Sequence, residues 1–177
     1  MSYLETFRQI HTFIFDVDGV LTNNELLVTE EGLLLRSMNV RDGYAIKQAI
    51  RCGFRVAIVT GGKSEGVRLR LEALGVQDIY MGQEEKEKAF EAIMELYDLD
   101  AQGVLYMGDD LPDYPVMRRV GLPACPIDAA PELFQIAAYV SPFKGGAGCV
   151  RDVIEQVMRV QGKWTIDKGQ EDQNRIN

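Results

Sequence analysis

The sequence predicts a doubly wound α/β domain, a parallel sheet with helices on both faces and a β-hairpin inserted after the first strand. Three observations carry this. Short apolar and β-branched runs alternate with helical patterns along almost the whole chain. The runs are apolar on both faces, as strands covered on both sides are. Several of them stop at Asp, Thr or Gly, which puts polar groups at the carboxyl edge of the sheet, where open α/β folds bind ligands.

Taken in order, Leu4, Phe7 and Ile10 recur at helical spacing and predict a short lead-in helix. Thr12 to Val17 is a buried strand that runs into Asp16, Asp18 and Gly19. Glu25 to Val28 and Leu33 to Met38 flank Thr29-Glu30-Glu31-Gly32, a hairpin whose glycine supplies the turn's positive φ. Asp42 is the expected N-cap of a helix ending near Cys52-Gly53. Phe54 to Val59 is the second core strand and ends at Thr60-Gly61-Gly62; Ser64 caps a helix that Gly75 closes. Val76 to Tyr80, Gly103 to Met107, Gly121 to Cys125 and Ala138 to Val140 are further strands. Helices are expected over Gln83 to Tyr97, from Pro112 onward, over Ala130 to Ala137 and over Gly148 to Val160. Residues 1–164 are expected to form one domain, with the hairpin at about 24–38. The polar stretch 165–177 is expected to be a flexible tail.

The 177 residues suffice for one domain with a real core. A net charge of -8 and a pI near 4.7 argue against a nucleic-acid partner, which calls for a basic stripe. An anionic substrate would have to meet local cations, because the overall field opposes it. Cys52, Cys125 and Cys149 lack metal-ligand spacing and are expected to be free thiols in a reducing cytoplasm. The polar start of the chain and the lack of a long apolar run predict neither a leader nor a membrane span.

Chemistry-bearing residues cluster at strand ends. Asp16 and Asp18 are costly at the end of an apolar strand unless a cation sits between them, and Mg2+ suits oxygen ligands. The hydroxyl of Thr60 and the amides of Gly61 and Gly62 can bond phosphate oxygens. Lys86 can hold an anion as a point charge, with Lys88 as its competitor. Asp109, Asp110 and Asp113 repel one another unless a cation is bound. Taken singly, each has an ordinary explanation as a turn, a surface lysine or a helix start.

Together, DVD, a strand-ending Thr, the Lys of GQEEKEK and GDDLPD resemble, in order, the motif series of the haloacid dehalogenase superfamily of phosphohydrolases. The resemblance covers Thr12 to Val160 and implies a Rossmann-like fold. It implies Asp16 as nucleophile, Asp18 as general acid/base, and Lys86 as the cation holding phosphate and nucleophile. Asp16, the backbone carbonyl of Asp18, and Asp109 would hold Mg2+, with Asp110 and Asp113 orienting the metal shell. The gaps between motifs leave no room for a cap domain. With the hairpin, MNVRDGYAIK, MGDDLPDYPVM and KGGAGCVRDV, this resembles the capless 3-deoxy-D-manno-octulosonate 8-phosphate phosphatases. That implies a sugar-acid substrate of lipopolysaccharide synthesis and a homotetramer joined through the apolar hairpin. A nine-carbon sugar-acid phosphatase and a non-catalytic oligomerisation module are the alternatives. Arg41, Lys63, Arg68, Arg70 and Lys144 lie in the matching stretches, with Arg41 the favoured substrate contact; at Gly62-Lys63 the chain departs from relatives carrying Arg-Lys or Arg-Ser.

Overall fold

The computed structural model describes residues 3–164; the expected tail, 165–177, lies outside the described residues. Six parallel strands form one sheet: β1 (Thr12–Phe15), β4 (Arg55–Val59), β5 (Asp78–Tyr80), β6 (Val104–Met107), β7 (Leu122–Pro126) and β8 (Tyr139–Ser141). Their order across the sheet is β5-β4-β1-β6-β7-β8, and every pair is parallel. The chain works outward from β1 on one side, then returns to β1's other side and works outward again. The reversal brings the carboxyl ends of β4, β1 and β6 together, which is where a doubly wound sheet opens a crevice.

Alternate strand residues feed two cores. Phe13, Phe15, Val56, Ile58, Leu105 and Met107 face one layer, packed by α1 (Tyr3–Gln9), α2 (Val40–Arg51), α3 (Glu65–Ala73) and α6 (Cys149–Val160). Ile14, Ala57, Val59, Val104 and Tyr106 face the other, covered by α4 (Lys86–Tyr97) and α5 (Tyr114–Met117). This is the two-sided burial that the continuous apolar runs call for. The hairpin forms as expected around Gly32 at φ +81°, but its ladder, β2 (Leu27–Val28) and β3 (Leu34–Leu35), is shorter than the apolar segments. Its pairing ends at Arg36, whose side chain turns toward the sheet.

Two elements differ from expectation. The stretch 130–137 forms only a single 3-10 turn, Leu133–Gln135. The N-cap of α2 is Asn39, whose side chain accepts from the amide of Arg41 at 2.8 Å; Asp42 lies inside the first turn. Buried Asp42 instead reaches α6 and accepts the amide of Arg151 at 2.7 Å. The α6 N-cap is Gly148, which has no side chain to do this, so a neighbouring helix supplies the acceptor. Burial pushes the Asp42 carboxyl up to about 6, against the opposing pull of the Arg151 and Gly148 amides.

A carboxyl raised in the folded state keeps its proton longer than the unfolded chain does, so its contribution to stability falls as pH rises toward about 6. Asp42→Ala should lose about 1–2 kcal/mol in urea titrations, the usual cost of a lost helix cap. Asp42→Asn keeps an acceptor without the charge, and should gain on the wild type as pH rises from about 4 to about 7. A pH-independent difference would mean that the carboxyl ionises as readily in the fold as in the unfolded chain.

Candidate active site

Four segments meet at the carboxyl edge of the sheet. β1 delivers Asp16, whose amide donates to Met107 O at 3.1 Å and so ties this strand end to β6. The chain then coils tightly, with the amides of Val20, Leu21 and Thr22 all donating to Val17 O. Gly19 sits in this coil at φ +85°, and a Cβ there would meet Asp109 Oδ2 at 2.0 Å. Only glycine therefore lets the first strand's loop close onto the acid from β6. Beyond β6, Asp110 and Asp113 form a capping box on the 3-10 turn Leu111–Asp113.

Lys86 opens α4, and its ammonium lies 2.7 Å from Asp16 Oδ2 and 2.7 Å from Asp113 Oδ1. Lys88, its competitor in the sequence, pairs with Glu85 on the exposed face of the same helix. Asp113 is fully buried: Oδ1 also accepts from the hydroxyl of Tyr106 at 2.7 Å, and Oδ2 accepts the amides of Asp109 and Asp110. Asp109 Oδ2 accepts from Asn24 at 2.6 Å. Thr60 is buried, and its hydroxyl accepts the amide of Gly62 at 3.2 Å. Asp18, Thr60 and Gly62 line one small void at the end of β4.

The electrostatics follow from burial. Desolvation, reinforced by the charge of Asp113 and opposed by Lys86, pushes Asp16 up to about 7. Desolvation pushes Asp109 up to about 6, with the Asn24 amide opposing. Burial works against the Lys86 charge too, but the carboxylates of Asp113 and Asp16 outweigh it and hold the ammonium above its ordinary range. Three buried acids thus share one ammonium, so the cluster is short of positive charge.

A divalent cation fits that deficit. Carboxylate oxygens of Asp16, Asp109 and Asp113 lie within 4.8 Å of one another. An all-oxygen donor set suits Mg2+. Asp113 has both oxygens doubly engaged, which uses up its acceptor capacity. Asp16 and Asp109 keep free lone pairs, so these two are the candidate ligands and Asp113 orients Lys86.

Other residues singled out in the sequence lie elsewhere. Arg68 bridges Glu65 and Glu72 on its own helix and is a solvated helix charge. Arg41 is exposed and lines a separate cavity of about 370 Å³ with Arg151 and Asp152. Lys63 and Arg70 line a groove of about 860 Å³ between the hairpin and the start of α3. Arg36, passed over in the sequence, lines that groove too and pairs with Asp18 at 2.6 Å. Its signal was a lone arginine in an apolar hairpin. Tyr106 and Asn24 were also missed; a tyrosine within an otherwise apolar strand just before GDD was the available clue.

Comparison with known proteins gives a consistent picture. The family model for haloacid dehalogenase-like hydrolases matches residues 73–153. The chain is 42% identical over 163 residues, 92% of its length and 87% of the other, to the 3-deoxy-D-manno-octulosonate 8-phosphate phosphatase of Escherichia coli K12. A structure described as a putative phosphatase of this type from Vibrio cholerae superposes with a TM-score of 0.90 at 38% identity, over 93% of this chain and 92% of that one. The Moraxella catarrhalis phosphatase, solved with magnesium, phosphate and KDO, superposes with a TM-score of 0.87 at 28% identity, covering 90% and 91%.

With divalent cations stripped, Asp16 and Asp109 hold protons that the unfolded chain has released, so stability falls as pH rises toward about 7. A cation that takes the ionised pair reverses this. Mg2+ should therefore raise Tm more at about pH 8 than at about pH 5.5, and Asp109→Asn should lose most of that increment. An equal rise at both pH values would exclude this pair as the ligands.

Proposed function

The chain belongs to the haloacid dehalogenase-like hydrolases, and within them we propose that it removes phosphate from 3-deoxy-D-manno-octulosonate 8-phosphate, a step in making the lipopolysaccharide sugar KDO. It is a phosphoric monoester hydrolase with Mg2+ as cofactor. The observation that carries the reading is the Asp16–Lys86–Asp113 cluster beside Asp109, within a chain whose similarity to these phosphatases runs nearly from end to end.

Lys86 holds Asp16 Oδ2, and the amide of Val17 donates to Oδ1 at 2.6 Å, so the nucleophile's carboxylate is fixed at both oxygens. A carboxylate so placed attacks phosphorus, the bond from phosphorus to the sugar oxygen breaks, and Asp18 gives that oxygen a proton. Asp18, now a carboxylate, takes a proton from water as the water attacks the aspartyl-phosphate, releasing phosphate and restoring Asp16. Lys86 reduces the repulsion between two anions as they approach. Asp16, the Asp18 carbonyl and Asp109 would hold Mg2+, which would supply Lewis-acid stabilisation of developing negative charge. Thr60 and the amides beside it bond the phosphate. Lys63 and Arg70 give the groove by the hairpin the local positive charge that a sugar acid needs in a chain of net charge -8.

The hairpin exposes Leu27, Val28, Leu33, Leu34 and Leu35, each 47% or more exposed. An apolar patch on so short a ribbon points to contact with further copies of the chain. We assign it to the centre of a homotetramer, whose neighbours would help close a site that lacks a cap. Among the described residues no helix is long and apolar enough to cross a membrane. Cys125 and Cys149 are buried free thiols, in keeping with a place in the cytoplasm.

Phosphate release from a panel of phosphosugars tests the substrate. The eight-carbon sugar-acid phosphate should turn over fastest, chelator should stop it, and Asp16→Asn should cut it by at least about a thousandfold. Faster turnover of the nine-carbon acid, or similar slow rates on all, would overturn the substrate; no turnover by folded, Mg2+-loaded protein would point to an assembly module. Light scattering should give the mass of about four chains, and charged residues at Leu27 and Leu34 should break the assembly without unfolding it. A monomeric wild type would remove the hairpin's assigned role.

A further inference from the structure

We infer that Arg36 is a positioning residue for Asp18, so that the acid/base of the reaction is oriented by the hairpin rather than by the sheet that carries it. The inference rests on the reading of Asp18 as acid/base. The guanidinium is forked on the carboxylate: Nε donates to Oδ1 at 2.6 Å and Nη2 to Oδ2 at 3.1 Å. Two parallel bonds fix the plane of the carboxylate as well as its place, which a single ammonium contact does not do. Each oxygen keeps a second lone pair, which leaves room for the proton that Asp18 must carry.

The placement is specific. Leu34 and Leu35, just before Arg36, are 48% and 47% exposed, yet the Arg36 side chain is 6% exposed. The chain therefore turns this residue inward from an element that otherwise faces out. Nη1 donates to Leu34 O at 3.3 Å, which bends the arm back over its own strand. Gly62 provides the space, because a Cβ there would lie 3.1 Å from Asp18 Oδ2 and 3.3 Å from Arg36 Nη2. Both partners would be crowded by any larger side chain at that position. Stability is a poor reason for such a pair: burying a guanidinium is costly, and a partner as open as Asp18, 34% exposed, returns little. Orientation of the carboxylate is what the geometry provides.

The experiment separates this role from a structural or a substrate-binding one through the leaving group. An alkoxide needs the proton that Asp18 gives, whereas p-nitrophenolate leaves without one. We would measure kcat/KM of wild type, Arg36→Ala and Arg36→Lys on 3-deoxy-D-manno-octulosonate 8-phosphate, glycerol 3-phosphate and p-nitrophenyl phosphate. Arg36→Ala should lose ~10–100-fold on both alkyl esters and no more than about threefold on the aryl ester. Arg36→Lys, with the charge but not the fork, should recover only part of the loss, and added guanidinium should restore Arg36→Ala on the alkyl esters. Equal losses on all three esters, a loss confined to the sugar acid, or no loss would each overturn the inference. If the wild type shows no preference for the sugar acid, the substrate reading fails, while the contrast between glycerol 3-phosphate and the aryl ester still tests Arg36.

Discussion

Lys86 holds the carboxyl edge of the sheet together, because its ammonium lies between two buried acids that come from different strands. Asp16 ends β1, Asp113 follows β6, and Lys86 itself opens the helix after β5. A cation at a helix N-terminus sits at the positive end of the dipole, so the helix does not favour it there. The carboxylates do, and removing any one partner would leave an uncompensated charge in a buried place. Asp113 is fixed in turn by Tyr106 and by two amides of its own loop. The position of Asp16 thus depends on a chain of buried contacts that runs from one strand end to another.

That arrangement favours catalysis over stability. Burial, with the charge of Asp113 added to it, raises Asp16 and Asp109 toward neutrality. Perturbed carboxyls at the switch point of a doubly wound sheet are what a phosphoryl-transfer site with a divalent cation requires. Gly19 shows how tightly the parts are fitted, since no side chain can stand between the first loop and Asp109.

The hairpin has two faces with different chemistry. Its leucines and valine point outward, while one arginine turns in to Asp18. A chain without a cap has to exclude water and orient its polar groups by other means, and on the reading proposed above the hairpin does both.

Much of this was legible in the sequence, because strand patterns and chain topology are local and few. Parallel strands in a doubly wound sheet must present their carboxyl ends on one edge, so Asp16, Thr60 and Asp109 were bound to converge once the strands were recognised. The competition between Lys86 and Lys88 was open in the sequence and closed by helix phase: one faces the sheet, the other Glu85 and solvent. What the sequence by itself determined was the α/β order, the hairpin turn at Gly32, and the strand ends that carry the acids. Only the tertiary structure decided which polar side chains meet across long separations. Asp42 carries a sound local N-cap signal, yet it serves α6, more than a hundred residues away. Arg41 and Arg36 stand equally near the site in the sequence, but the turn out of the hairpin sends one to solvent and the other to Asp18. Side-chain destination depends on which element packs beside it, and that is a property of the folded whole rather than of any local pattern.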